Sequence, residues 1–364
     1  MKILCIIDCL GSGGAQKQLV SLAKFFKDSN HEVSFLVYYS DDFYKDYLLM
    51  NNINIIEVVE KNYIKRLLKM RHIIRNGNYD AVLSFLEAPS FIAEIATLPT
   101  KKWQLIVGER SANPKILTSF KLKFYRWFHF LADAIVANSY ENIKIIKKAN
   151  PLLKNNKLHV VYNLMDFEKW KPQRHKYIYR KNGKFNLIVV ASHQYLKNLN
   201  GLIEAINLLD KNYKNQLRVN WYGGPSHDDS KIQALKKIDD YKLNEIFRFY
   251  DPTLDIATKV NEADALGLFS FYEGLPNVVC EAMINAKAII SSNISDIGLL
   301  INQDLTFDAN SVDDIASKLA KLLEMKEEQL LSIGYENHLK ALSKFNSKEI
   351  KNTYIKILEG SNKK

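Results

Sequence analysis

The feature that most constrains this chain is an alternation that runs through it twice. Short apolar runs rich in β-formers are separated by stretches whose apolar residues recur three and four apart. MKILCIIDCL, HEVSFLVYY and YDAVLSFLEA read as strands, with further strands at 105–107 and 134–137, while GAQKQLVSLAKFFKD and IKRLLKMRHIIRN read as helices. The order then restarts with FNLIVVAS, LRVNWYGG, FRFYDP, ALGLFSF and AIISSN, each followed by a helical or turn segment. Strands alternating with crossover helices imply parallel sheets, so the expected fold is α/β with two Rossmann-like domains facing across a central cleft. Open sheets of this kind bind ligands beyond the carboxyl ends of their strands.

Between the two series, LHVVYNLMDFEKWKPQRHKYIYRKNG loses its apolar period, and Pro172 and Gly183 punctuate it. The expected division is 1–165, 166–345 and a C-terminal helical segment 346–364 that closes the second domain or packs back on the first. At 364 residues the chain exceeds what one core usually fills.

Cys5, Cys9 and Cys280 cannot form an even disulfide framework, and all three read as reduced core thiols. The opening MKILCIIDCLGSGG is too short and too polar for a signal peptide, and no run of 18 apolar residues occurs. A cytoplasmic protein is expected. The net charge is +11, with the excess concentrated in the first half. A solvated basic face explains this, and so does an anionic membrane surface. Nucleic acid is not implied, because no recognised module or Arg-rich stripe accompanies the charge.

The stretch EGLPNVVCEAM, residues 273–283, carries the chemistry. Glu273 follows a strand, and Pro276 suits the first helical position. The amides of Leu275, Asn277 and Val278 would then open towards an anion, with the positive end of the helix dipole behind them. Gly274 lets the backbone come close. Glu281 lies about 7 Å further along at ~1.5 Å per residue, placed to hold the hydroxyls of a ribose. Glu273, on the other side of the phosphates, would face a sugar. Two carboxylates flanking a diphosphate describe a nucleotide-sugar site.

Nearly the whole chain resembles the retaining GT-B glycosyltransferases of glycosyltransferase family 4, on SGGAQKQLVSLA, VANS, VYNLMD, KNLNGLIEAI, WYGG, EADALGLFSFYEGLPNVVCEAM and LTFDANSVDDIASKL. The family signature is Glu, seven residues, Glu, after a strand. The resemblance implies that Glu281 binds the ribose, Glu273 the donor sugar, and residues Gly274 to Val278, including Pro276, the diphosphate. It implies that Lys197 neutralises the phosphates, and that Gly13 and Gly14 form the first-domain loop near donor or acceptor.

Three departures accompany it. Ala191, Ser192 and His193 occupy the turn where many relatives carry Arg, leaving Ser192 as the donor-binding residue there. Gln16 replaces a common Glu. VGER places Glu109 or Arg110 where relatives often have a catalytic His. An ordinary strand–helix turn also accounts for the glycines, a solvated helix-start lysine for Lys197, and a structural role for His193.

No HExxH, CxxC or Asp-x-Asp pattern is present, so neither a metal nor another cofactor is implied. The resemblance favours a UDP-sugar over a GDP-sugar as donor, and a glycan or lipid-linked glycan as acceptor, as in bacterial lipopolysaccharide, O-antigen or capsule assembly. Two other readings stand beside it: a nucleotide-sugar 2-epimerase of the same architecture, and a non-catalytic nucleotide-sugar-binding protein. SFKLKFYRWFHFLAD, 119–133, interleaves Lys121, Lys123 and Arg126 with six aromatics. It suits either the inner face of an anionic membrane or a crossover helix with its rings in the core.

Overall fold

The computed structural model describes residues 1–225 and 228–360; the last four residues of the 346–364 segment lie outside these. The chain forms two compact units, one made of Met1–Leu164 with Ser347–Lys364, the other of Met165–Asn346.

The first unit holds a seven-stranded sheet: β1 Lys2–Ile6, β2 Glu32–Val37, β3 Asn54–Glu57, β4 Ala81–Phe85, β5 Gln104–Glu109, β6 Ala134–Ala137 and β7 Leu158–Val160. Their order is β3-β2-β1-β4-β5-β6-β7, and every pairing is parallel. The central strands are covered on both faces. Ile3, Leu4, Cys5 and Ile6 are all fully buried, which is why β1 reads as an unbroken apolar run and not as an alternation. The helix Ser347–Leu358 belongs to this unit, burying Ile350, Tyr354, Ile357 and Leu358 in the same core as β1, β2 and β4.

The second unit holds a six-stranded parallel sheet: β8 Phe185–Val190, β9 Leu217–Tyr222, β10 Phe247–Tyr250, β11 Ala265–Leu268, β12 Ala288–Ser292 and β13 Thr306–Phe307, in the order β10-β9-β8-β11-β12-β13. Both sheets are Rossmann-like. In each, the strand order reverses once, between β1 and β4 in the first and between β8 and β11 in the second. Such a reversal leaves a crevice at the carboxyl ends of two adjacent strands, because their crossover helices depart to opposite sides.

Three strands escape the sequence pattern. The four-residue β3 is half-exposed at an edge, β7 has three residues and β13 two. None buries enough side chain on both faces to give the run seen in β1. Cys5 and Cys280 are buried thiols as expected, but Cys9 lies half-exposed in the loop after β1 and is not a core residue.

Among the described residues no helix is long and apolar enough to cross a membrane, and no group of three or more His, Cys, Asp or Glu side chains is arranged to hold a metal ion.

Candidate active site

At the reversal of the second sheet, the loops after β8 and β11 are bound to each other. The Phe271 N–H donates to the Leu196 carbonyl at 3.0 Å. The β8 loop runs through Ala191, Ser192 and His193 into a short 3-10 turn, Tyr195–Lys197, before the helix Leu199–Leu208. Asn198, in the left-handed region at φ 55°, turns the chain. Its Oδ1 accepts from Gly201 N–H and its Nδ2 donates to the Ala309 carbonyl, so the residue after Lys197 is fixed from two sides.

This brings Lys197 to the first glutamate. Its Nζ donates to Glu273 Oε1 at 2.5 Å, and the Ser270 hydroxyl donates to the same oxygen at 2.9 Å. Both charged side chains keep about a fifth of their surface exposed. A lysine on one loop and a glutamate on the next therefore form one unit, although 76 residues separate them.

The helix carrying the second glutamate runs Asn277–Ile284. Pro276 is its N-cap at φ −69° and ψ 116°, one position earlier than the sequence suggests. The reason lies in the backbone: the Pro276 carbonyl already accepts from Val279 and Cys280, which is what an N-cap does before the helical dihedrals begin. Gly274 and Leu275 are buried beneath, while Asn277 and Val278 are part-exposed in the first turn. Glu281 is 6% exposed, on a helix whose Val279, Cys280, Ala282 and Met283 are fully buried.

Sequence reasoning missed a set of serines that brace this loop. Ser292, at the end of β12, donates to the Ser270 carbonyl at 2.8 Å, and Ser295 donates to the Gly274 carbonyl. With the Ser270–Glu273 bond, three hydroxyls fix 270–274 from below. The spacing Ser-x-x-Glu at 270–273 was the available signal, since a hydroxyl three residues before a carboxylate meets it across one turn.

His193 is structural. It is 1% exposed, its Nδ1 pairs with the Gly224 carbonyl at 2.8 Å, and its ring stacks on Trp221. Burial holds its pKa below the usual imidazole value. Gly223 allows the neighbouring approach, for a Cβ there would lie 1.8 Å from the Ala191 carbonyl oxygen. Ser192 beside it is part-exposed.

In the first unit, Gly13 is the N-cap of the helix Gly14–Asp28, after the β1 loop. Gln16 donates to Asp8 Oδ1 at 3.0 Å, so the amide that replaces the common Glu serves to hold that loop.

The two residues expected to stand in for a catalytic His are engaged in holding the unit together. Glu109 is 6% exposed, and both its oxygens are taken: Oε2 by Arg126 at 3.0 Å and Oε1 by His129 Nε2 at 2.8 Å. Arg126 also reaches Glu87 at 3.0 Å, and His129 Nδ1 meets Glu94 at 2.6 Å. Burial alone would push Glu109 up, but the charge of Arg126 and the bonds from His129 and Arg126 hold it down to about 2. Burial would likewise lower His129, yet the charge of Glu94 and bonds to Glu109 and Glu94 lift it to about 9. Glu109 is thus a buried ion with both oxygens engaged in holding the unit together. Arg110 donates to Tyr354 Oη at 2.5 Å and lies 3.9 Å above the Phe85 ring, tying the end of β5 to the C-terminal helix.

The same network corrects the reading of 119–133. Arg126 is fully buried and cannot face lipid. Tyr125 and Phe128 pack on Phe91, while Phe120, Phe124, Trp127 and Phe130 are exposed beside the exposed Lys121 and part-exposed Lys123. Core and surface readings therefore divide residue by residue. Tyr63 lies near Tyr125, and its helix Tyr63–Asn76 adds exposed Ile64, Lys65, Leu68 and Lys69.

Comparison with known proteins agrees with this geometry. Residues 171–353 match the family Glycosyl transferases group 1, and residues 12–169 match Glycosyltransferase Family 4. The chain belongs to the group 1 glycosyl transferases. Over 391 aligned residues it is 26% identical to a Campylobacter jejuni subsp. jejuni serotype O:2 protein, GalNAc-alpha-(1->4)-GalNAc-alpha-(1->3)-diNAcBac-PP-undecaprenol alpha-1,4-N-acetyl-D-galactosaminyltransferase, covering 98% of each chain. Among solved structures, Anabaena HepE in complex with UDP and glucose superposes with a TM-score of 0.85 at 17% identity, covering 98% of this chain and 99% of that one. The lipopolysaccharide outer core galactosyltransferase WaaB superposes at 0.69 with 15% identity, covering 97% and 100%. The fold is GT-B, and the protein is a glycosyltransferase.

Proposed function

We propose that this glycosyltransferase moves a sugar from a UDP-sugar to a hydroxyl of a lipid-linked glycan at the cytoplasmic face of a bacterial membrane, with retention at the anomeric carbon. The observation that carries the reading is the Lys197–Glu273 pair at the reversal of the second sheet, at the head of the helix bearing Glu281. UDP in the HepE complex and the undecaprenol-linked acceptor named for the Campylobacter relative support donor and acceptor class.

The chemistry follows from the groups present. Glu281 holds the ribose, and the first turn of Asn277–Ile284, with Gly274, Leu275 and Pro276 before it, receives the diphosphate at the positive helix end. When the donor enters, Lys197 exchanges part of its contact with Glu273 for the phosphates, and Ser192 lies along the same loop. Glu273, held by Ser270, then accepts from the sugar hydroxyls and does not attack. The bond from C1 to the phosphate oxygen breaks as the acceptor oxygen bonds C1 on the same face, and the acceptor proton passes to the departing diphosphate. Lys197 and the helix dipole offset the charge that develops, so the step runs without a metal. Gly13 and Gly14 are assigned to the first-unit loop that meets donor or acceptor. The exposed aromatics and lysines of 119–130 and of Tyr63–Asn76 provide the membrane-facing surface.

Binding and turnover separate the two glutamates. Glu281→Ala should weaken UDP binding itself, because a ribose contact persists in substrate and product. Glu273→Ala should leave UDP affinity nearly intact and lower kcat. Equal loss of UDP affinity in both variants would overturn the assignment.

A further inference from the structure

In the first unit a charge stands where the packing calls for an apolar side chain. The helix Tyr63–Asn76 turns one stripe inwards, Arg66, Met70 and Ile74, and all three are buried. Arg66 is 7% exposed. Taking a guanidinium out of water is costly unless a partner compensates, and the usual partner is a carboxylate. Here there is none: among the described residues the Arg66 guanidinium makes no hydrogen bond and no ion pair. Glu60, just before the helix, is taken by Lys69 at 2.8 Å and by the Asn62 N–H at 3.2 Å. Asp8, whose charge reaches Tyr38, accepts from the Cys9 N–H at 2.8 Å and from Gln16 at 3.0 Å.

Three tyrosine rings hold the guanidinium instead. Its central carbon lies 4.4 Å from the Tyr38 ring and 5.3 Å from each of the Tyr39 and Tyr63 rings. Tyr38 and Tyr39 follow directly on β2, and their N–H groups donate to the Asp8 carbonyl at 3.0 and 2.9 Å, which fixes both at the carboxyl ends of β1 and β2. That is the edge at which open sheets take ligands. Ring faces attract the charge but leave the N–H donors unmet. Nε is enclosed without a partner, whereas Nη1 and Nη2, equally unpaired, keep contact with solvent. The group also lies near the positive end of its own helix, whose first turn has no acidic residue, and such an end favours an anion.

The cage adjoins the surface proposed to meet the membrane. Ile64, Lys65, Leu68 and Lys69, on the same two turns, are exposed, and Tyr63 lies near Tyr125 of the helix Phe120–Trp127.

We infer that Arg66, in its tyrosine cage, binds the phosphate or diphosphate group through which the lipid of the acceptor holds its glycan. This rests on the lipid-linked acceptor proposed above. Nη1 and Nη2 form a planar fork that matches two oxygens of one phosphoryl group. An acceptor that runs from the bilayer surface to the carboxyl edge of the sheet passes the fork and carries that group between its two ends. A headgroup of the bilayer itself meets the exposed Lys65 and Lys69 before the recessed Arg66. A neutral lipid leaves the guanidinium unmet.

Isothermal titration of the full chain, saturated with UDP so that the donor motif is occupied, tests this with farnesyl diphosphate as the probe. Farnesol and dihexanoylphosphatidylglycerol, which lack the diphosphate or carry a headgroup phosphate in its place, should bind at least about tenfold more weakly. Arg66→Met should bring farnesyl diphosphate down to the affinity of farnesol without lowering the melting temperature, since the variant completes the apolar stripe and removes an unpaired charge. Arg66→Lys keeps the charge and loses the fork, and should weaken farnesyl diphosphate about tenfold even if the methionine variant fails to fold. Farnesyl diphosphate bound no more tightly than farnesol, or undiminished in Arg66→Lys, would overturn the inference. Equal binding of dihexanoylphosphatidylglycerol would overturn it too, assigning the fork to bilayer headgroups. A lower melting temperature in Arg66→Met with farnesyl diphosphate affinity retained would make the arginine a brace for the tyrosines. The shift in melting temperature with UDP, and sugar transfer by the wild-type protein, are read separately, so a failure here is distinguishable from a failure of the transferase reading.

Discussion

Replacing Arg126 by methionine should cost the first unit about 3–5 kcal/mol of stability, the range for breaking a buried ion pair from one side. The structure sets the size of the effect. The Arg126 side chain is 1% exposed and its Nη2 bridges Glu109 and Glu87 at 3.0 Å each. Without it, Glu109 stays buried with His129 as its remaining partner. At about 2–4 °C per kcal/mol for a unit of this size, calorimetry should show a fall of about 6–20 °C in its melting temperature at neutral pH. Adding Glu109→Gln should recover part of the loss, since the deeply buried carboxylate that lost Arg126 is then neutral, and only the part-exposed Glu87 is left without it. The pH dependence has a definite sign. His129 is raised from 6.5 to about 9, so its contribution is complete below pH 6.5 and is lost as the pH climbs towards about 9. Glu109 is depressed from 4.5 to about 2, so its contribution is present above pH 4.5 and is lost as the pH falls towards about 2. A destabilisation under about 1 kcal/mol, the scale of an exposed pair, would refute the view that this network organises the unit.

Ser270→Ala removes one of two donors on Glu273 and should lower kcat by roughly tenfold, as one charge-assisted hydrogen bond is worth about 1.5 kcal/mol. KM for the donor should hold, and Ser270→Thr should restore much of the rate, which steady-state kinetics would reveal. Lys197→Ala should cost more than ~10-fold in turnover, and wild-type activity should persist in a chelator; complete loss with chelator, restored by a divalent ion, would contradict the proposed mechanism. Changing Lys121 and Lys123 together to Gln should weaken sedimentation with phosphatidylglycerol vesicles by roughly thirtyfold at low salt, at about 1 kcal/mol per charge, with UDP binding unchanged. Wild-type protein indifferent to those vesicles would remove the membrane from the proposal.

What the sequence disclosed and what it hid follow from the range of the interactions involved. All the strands but β3, β7 and β13 were legible because a parallel strand covered on both faces is apolar nearly throughout, as in ILCI and LIVV, and that constraint is local. The two glutamates were legible for the same reason: strand, turn and helix fall within a dozen residues. Lys197 and Glu273 lie 76 residues apart, and no periodicity joins them. Only the family pattern implied one donor for both, Lys197 at its phosphates and Glu273 at its sugar, and their direct bond emerges from the fold.

Arg126 was the opposite case. An arginine among aromatics and lysines reads as surface, because a charge is buried only when paired, and pairing partners leave no mark in the local sequence. Here they come from two other elements: Glu87 on the helix that also carries Glu94, and Glu109 at the end of β5, which His129 holds as well. Once those partners are known, the exposed rings gain a meaning that the sequence withheld. Arg126 pins the helix Phe120–Trp127 from beneath by its guanidinium, while Phe120, Phe124 and Trp127 remain on the outer side. A side chain that the sequence left open to the membrane is instead what holds in place the helix proposed to face it. Its loss should therefore be felt first in the stability of the unit, and in vesicle binding only as a consequence.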